Sequence, residues 1–203
     1  MKKVFIPVKN KTNANLEKIK QLSKKLPKNL IIAYSIQFIE LAKQIKNTLK
    51  NKNISFFQVL GCSIPKTKNK QAILLIGSGK FHAISLAYET KLPVYLLQKD
   101  KLEKISKKEI ELIEKKHKAA YLKYLYSKKI GVLISNKPGQ TRLKQALKLK
   151  NKIKNKKTYF FLSSTLNKLE FENFNLDSWI NTSCPRLDMD FPIINIGKLN
   201  LCN

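Results

Sequence analysis

Short, uninterrupted apolar runs alternate along this chain with longer stretches in which apolar residues recur every three or four positions among lysines. The runs predict strands over 4–8, 30–36, 54–59, 72–76 and 94–97, and again over 130–135, 158–162, 179–182 and 193–196. The periodic stretches predict helices over 15–26, 38–49, 82–90, 107–126 and 140–153. Continuous apolar strands separated by helices of ten or more residues are the mark of βαβ units, because a central parallel strand is covered on both faces. The fold class is therefore α/β. The helix over 107–126 follows one set of strands and precedes a second of similar spacing. Two similar small parallel-sheet (βαβ) domains with flanking helices, 1–106 and 107–203, fit this better than one sheet of nine strands.

Composition adjusts the picture without changing it. The 203 residues are 43% hydrophobic, enough for buried cores and too much for a disordered chain. No apolar run approaches the roughly 18–20 residues that span a bilayer, so no membrane association is expected. The apolar part of 4–8 is too short for a secretory signal, and three cysteines make no disulfide framework. A cytoplasmic location is expected.

The charge is lopsided: 41 Lys+Arg stand against 13 Asp+Glu, a formal +28. Only two of the 41 are arginine, Arg142 and Arg186. Lysine, isoleucine and asparagine rising together while arginine nearly vanishes is a coding bias that decorates ordinary helix faces. No arginine–aromatic interleaving, RNP-like string or paired Cys/His finger accompanies it. Nucleic acid is not expected as a partner, and a basic RNA-binding protein of the translation apparatus stands only as an alternative.

In open α/β sheets ligands bind beyond the carboxyl ends of the strands. The segments that follow the expected strands are Leu60-Gly61-Cys62-Ser63, Gly77-Ser78-Gly79-Lys80-Phe81-His82, Asn136 to Arg142, and Ser183-Cys184-Pro185-Arg186. Both arginines and two of the three cysteines fall there. Gly77-Ser78-Gly79 before a helix suits backbone amides holding a carboxylate or phosphate, or simply a tight turn. It is neither a complete dinucleotide fingerprint nor a Walker loop. In a chain that places lysine almost everywhere, a retained arginine marks a site needing a planar, bidentate fork, a structural salt bridge, or an accidental survival. Cys62 and Cys184 are each flanked by glycine or proline, and two thiolates are too few for a complete iron–sulfur or structural zinc site. A Cys62–His82 nucleophilic pair has no visible orienting carboxylate. His117, among helix lysines, reads as solvated surface.

These residues also form an ordered set. Gln58-Val59-Leu60-Gly61-Cys62, Ile76-Gly77-Ser78-Gly79 with Phe81-His82, Lys137-Pro138-Gly139-Gln140 with Arg142, Leu169-Glu170 with Phe174, the segment 177–179, and Cys184-Pro185-Arg186 occur in that sequence. The set closely resembles the archaeal diphthamide synthase, or 2-(3-amino-3-carboxypropyl)histidine synthase, family. The resemblance implies three similar α/β domains around a central [4Fe-4S] cluster with one cysteine from each domain. It implies S-adenosylmethionine as substrate, cleaved at its Cγ–S bond to a 3-amino-3-carboxypropyl radical that adds to a histidine of translation elongation factor 2. By motif, Cys62 looks like the middle-domain ligand and Cys184 the last-domain ligand. Gly77, Ser78, Gly79, His82, Gln140, Arg142 and Arg186 would line the pocket, with no catalytic residue beyond the cluster.

The chain departs from the family pattern at its beginning. The family's first domain and its cysteine have no counterpart, and 1–10 looks like that domain's last strand. Residues 1–106 then match the middle domain and 107–203 the C-terminal one. The favoured expectation is a separately encoded first-domain chain, or a homologous subunit, that completes the enzyme in trans, together with an electron donor. The alternatives are a non-catalytic accessory subunit of the same complex, or Cys202 serving as third ligand.

Overall fold

The computed structural model describes residues 15–50, 52–60, 63–137, 141–166, 168–171, 173–184 and 193–199. The expected strand over 4–8 lies outside them. The chain divides into two compact units, 1–110 and 111–203.

The first unit runs α1 (Leu16–Leu22), β1 (Asn29–Tyr34), α2 (Ile39–Thr48), β2 (Asn53–Gln58), β3 (Ala72–Ile76), α3 (Phe81–Thr90), β4 (Val94–Gln98) and β5 (Lys101–Lys104), and enters α4 (Lys107–Tyr126). Its sheet has the order β2-β1-β3-β4-β5, parallel except for the antiparallel β4–β5 pair. Strand residues alternate between two cores, as the pleat requires. Leu30, Ile32, Leu74 and Ile76 pack with Ile19 of α1 and Leu41, Ala42 and Ile45 of α2. Ile31, Ala33, Ile73 and Leu75 pack on the other side with Ala83, Leu86 and Ala87 of α3.

The second unit runs from α4 through β6 (Lys129–Ser135), α5 (Leu143–Lys152), β7 (Lys157–Ser163), α6 (Lys168–Phe171), β8 (Ser178–Asn181) and β9 (Ile194–Asn195). Its four strands are all parallel in the order β7-β6-β8-β9. Ile130, Val132 and Ile134 of β6 pack against Ala146 and Leu149 of α5 and Tyr124 of α4. The opposite face holds Leu133, Phe171 and Ile193, joined by Phe161 and Trp179. The class is α/β with two parallel-dominated sheets, as the pattern of apolar runs predicts.

Four boundaries differ from expectation for local reasons. The helix expected over 15–26 stops at Leu22 and passes through a 3-10 turn, Ser23–Lys25. Leu26 is then extended, at φ −97° and ψ 144°, because the ring of Pro27 disfavours the helical region before it. The strand expected to reach residue 36 ends at Tyr34, and a 3-10 turn over Ile36–Phe38 swings the chain into α2. The strand expected over 193–196 is only Ile194–Asn195, since Ile196 already opens a 3-10 turn. The helix expected from residue 140 begins at Leu143. Strand β5 has no counterpart among the expected elements, because Lys-Leu-Glu-Lys is a mostly exposed edge with no apolar run. Among the described residues no helix is long and apolar enough to cross a membrane.

Candidate functional site

Both sheets place their second strand on one side of the first strand and their third on the other. The chain therefore leaves the first strand in opposite directions, opening a crevice at the carboxyl ends of β1 and β3 in one unit and of β6 and β8 in the other. Ligands of open α/β sheets bind at such switch points.

In the first unit, Tyr34 is in register with Ile76, and the Ser35 N–H donates to the Ile76 carbonyl at 3.4 Å. Gly77 follows, buried, then Ser78 and Gly79, both exposed. Gly79 has φ +81°, a region that L side chains rarely adopt, which explains the glycine. The loop delivers the chain into α3, whose first turn carries His82, half-buried with its ring edge-on to Phe81 at 5.4 Å. Lys80, at the start of that helix, is bound to Glu103 of β5 and lies 3.4 Å from Glu109 of α4. Hydrogen bonding to Glu103 holds its ammonium above the usual lysine range. Glu109 in turn accepts from the Ser106 N–H at 2.9 Å, while the Ser106 hydroxyl accepts from the Glu109 N–H at 3.3 Å, a reciprocal helix cap. That backbone donor is the main reason the Glu109 carboxyl sits below its ordinary range. The one lysine at the glycine loop is thus engaged by two carboxylates.

In the second unit the end of β8 is held by buried polar side chains. Asn181, 1% exposed, donates from Nδ2 to the Cys184 carbonyl at 2.7 Å and to Asn195 Oδ1 at 2.6 Å. Its Oδ1 accepts from the Ser183 N–H at 2.9 Å. Thr182 donates through its N–H and its hydroxyl to the Leu133 carbonyl of β6, at 3.1 and 2.8 Å. These bonds fix the turn that presents Cys184, which is unbridged and half-exposed. One group in the turn is unanswered: the Ser183 hydroxyl is buried and has no hydrogen-bond partner among the described residues. On the neighbouring strand end, the Lys137 N–H donates to Ser135 Oγ at 3.1 Å and Thr141 donates to the Lys137 carbonyl at 3.1 Å. Arg142 stands exposed at the start of α5.

Of the residues singled out in the sequence, Gly77, Ser78, Gly79 and His82 gather at the carboxyl end of β3. Cys184 and Arg142 follow the adjacent strands β8 and β6. Cys62, Gln140, Arg186 and Cys202 lie outside the described residues. The Asn181–Asn195 pair and Ser183 are not among the residues expected at the site, although an Asn-Thr-Ser run just before a strand-end cysteine is the available signal. One expectation is corrected: His117 is not a solvated surface residue. It is half-buried, with Lys198 Nζ 3.1 Å from Nδ1 and 3.2 Å from Nε2, because the last 3-10 turn of the unit folds back onto α4.

An unbridged, partly exposed thiol beside a buried unpaired hydroxyl fits a group that is ligated through sulfur and accepts hydrogen bonds, as an iron–sulfur cluster does. Among the described residues no three His, Cys, Asp or Glu side chains stand together as a metal site. The turn after β8 therefore offers one free thiol.

The sequence matches the diphthamide synthesis protein family over residues 1–193. It is 28% identical over 182 residues to the 2-(3-amino-3-carboxypropyl)histidine synthase of Pyrococcus horikoshii, covering 82% of this chain and 53% of that protein. Against the enzyme of the same name from Methanocaldococcus jannaschii it is 30% identical over 169 residues, 80% of this chain and 46% of the other. The structure resembles the crystal structure of Dph2 from Pyrococcus horikoshii with a TM-score of 0.80 at 26% identity, covering 92% of this chain and 61% of that one. A crystal structure of that Dph2 with a 4Fe-4S cluster matches with a TM-score of 0.76. The chain spans about half the length of the curated relatives it matches. A family match that reaches across both units, carried on the same fold, means that this chain belongs to the diphthamide synthesis protein family.

Proposed function

We propose that this chain works in diphthamide formation as part of a 2-(3-amino-3-carboxypropyl)histidine synthase. It transfers the 3-amino-3-carboxypropyl group of S-adenosylmethionine to a histidine of translation elongation factor 2. The observation that supports this best is the turn after β8, where a network of buried amides holds one free thiol beside an unsatisfied hydroxyl.

In this reading Cys184 and Cys62 are two ligands of a [4Fe-4S] cluster, and the third comes from a further domain on a partner chain. When bound, the cluster supplies the electron that cleaves the Cγ–S bond of S-adenosylmethionine. The chain's own residues bind and orient. The Gly77-Ser78-Gly79 loop brings backbone amides close to the substrate, with His82 beside it in the first turn of α3. Gln140, Arg142 and Arg186 complete the pocket, an arginine fork suiting the methionine carboxylate. The Glu103 and Glu109 carboxylates keep Lys80 engaged and fix the point where the loop becomes helix. A cytoplasmic setting with a separate electron donor accompanies this reading.

Anaerobic reconstitution of the chain alone and with its complementing subunit, with iron and sulfide quantified, tests it. Weak iron binding alone and a full cluster in the complex are expected, and Cys184→Ala or Cys62→Ala should abolish loading there. Full loading of either variant overturns the ligand assignment. A complex that loads iron through other chains and transfers the group without Cys62 or Cys184 makes this chain an accessory subunit.

A further inference from the structure

The turn that carries Cys184 satisfies nearly all of its own polar atoms. Asn181 uses both its Nδ2 and its Oδ1, Asn195 accepts from Asn181, and the Thr182 hydroxyl donates to the Leu133 carbonyl. Ser183 is 4% exposed, its N–H is taken by Asn181, and its buried hydroxyl has no hydrogen-bond partner among the described residues. Buried hydroxyls are almost always hydrogen-bonded, and an orphan is a cost the fold bears unless a bound group answers it. Its neighbour in sequence is the thiol assigned to the cluster.

We propose that the Ser183 hydroxyl is the hydrogen-bond donor to the sulfur of the cluster held at Cys184, and that it thereby sets the cluster's reduction potential. This rests on the cluster reading of Cys184 above. A donor to an iron–sulfur cluster's sulfur stabilises the extra negative charge of the reduced form and raises the potential. A bound cluster would have to take up that extra electron before it could supply it to S-adenosylmethionine, so Ser183 would tune how easily the cluster is charged. It acts through the cluster and is a positioning and tuning residue, not a catalytic one.

The test uses Ser183→Ala and Ser183→Thr in the complete complex. Iron and sulfide are counted first: a wild-type complex without a cluster refutes the cluster reading and this proposal together. With the cluster present in all three proteins, spectroelectrochemical titration should show a more negative potential for Ser183→Ala and a near wild-type value for Ser183→Thr. An unchanged potential in Ser183→Ala overturns this proposal and leaves the ligand role of Cys184 standing. The cluster-free chain gives an independent reading. There Ser183→Ala should leave the unfolding midpoint unchanged or raise it, since it deletes an unpaired hydroxyl. A clear drop in that midpoint means the hydroxyl already has a partner in the chain, and the proposal fails.

Discussion

The two sheets share one strand order over their first four strands and bury their faces by different means. In the first unit, helices cover both faces: α1 and α2 lie on one and α3 on the other, and β3 is buried from end to end. In the second unit α5 and the end of α4 cover one face, while the other is closed by the aromatic group of Phe161, Phe171 of the short α6, Phe174 and Trp179. The third strand of each sheet leads into the switch point of its own unit, and there the difference has consequences. After β3 the chain turns by a glycine conformation, and after β8 it turns by buried asparagine hydrogen bonds. One fold thus reaches the same switch point by backbone freedom in one copy and by side-chain networking in the other.

The largest expected effect breaks the aromatic face. Trp179 is in register with Gly131, and a Cβ on Gly131 would fall 2.2 Å from its ring carbons. That ring is held by Phe161 and Phe171 and has little room to retreat. Gly131→Ala should destabilise the second unit by about 3 kcal/mol in denaturant unfolding, at the upper end of overpacking costs. In a Trp179→Ala background the same change should cost far less. Gly77 is the control, because a Cβ there meets only Ser35 Oγ at an ordinary 3.7 Å. Gly77→Ala should shift stability by less than about 1 kcal/mol. Equal costs at the two glycines would erase the distinction between the faces.

Next in size is Asn181→Ala, expected to cost about 2 kcal/mol by leaving the Cys184 carbonyl, the Ser183 N–H and Asn195 Oδ1 without their present partner. In the complete complex it should also lower cluster retention, read as iron lost per hour to a chelator. Retention equal to wild type would mean the network does not hold the turn. Smaller again is Gly79→Ala, whose φ of +81° would cost an L side chain about 1 kcal/mol. If the loop holds S-adenosylmethionine, that variant should weaken its binding several-fold by calorimetry while leaving cluster loading intact. Unchanged affinity would remove the loop from the pocket.

Much of the contrast was legible in the sequence, and the reasons are physical. Central strands such as 72–76 and 130–135 are buried on both faces, so they appear as unbroken apolar runs whose position needs no tertiary information. β5 was illegible because three of its four side chains are exposed, and only pairing with β4 makes it a strand. The glycine loop was visible because conformational demand selects a residue type locally. The Asn181–Asn195 pair was not, because it joins positions 14 residues apart and depends on the β8–β9 register. The same holds for Lys80, whose acidic partners stand 23 and 29 residues away.

The smallest effect separates the units by pH. Asp177 accepts from the Lys129 and Lys128 N–H groups at 2.7 Å each and so ties the start of β6 to the start of β8. Those backbone donors, Lys129's first, hold its carboxyl below the usual range. A carboxyl depressed on folding contributes stability above its unfolded value, near pH 4, and loses it as pH falls through the lower folded value. Glu109 behaves likewise in the first unit, so acid should weaken both. The chain's single tryptophan, Trp179, lies in the second unit and reports on that unit alone. Acid unfolding followed by its fluorescence should flatten below pH 4 in Asp177→Asn and remain wild-type in Glu109→Gln. An equal change in both variants would show that the two carboxylates act on one cooperative unit, and the comparison between the sheets would then describe packing but not stability.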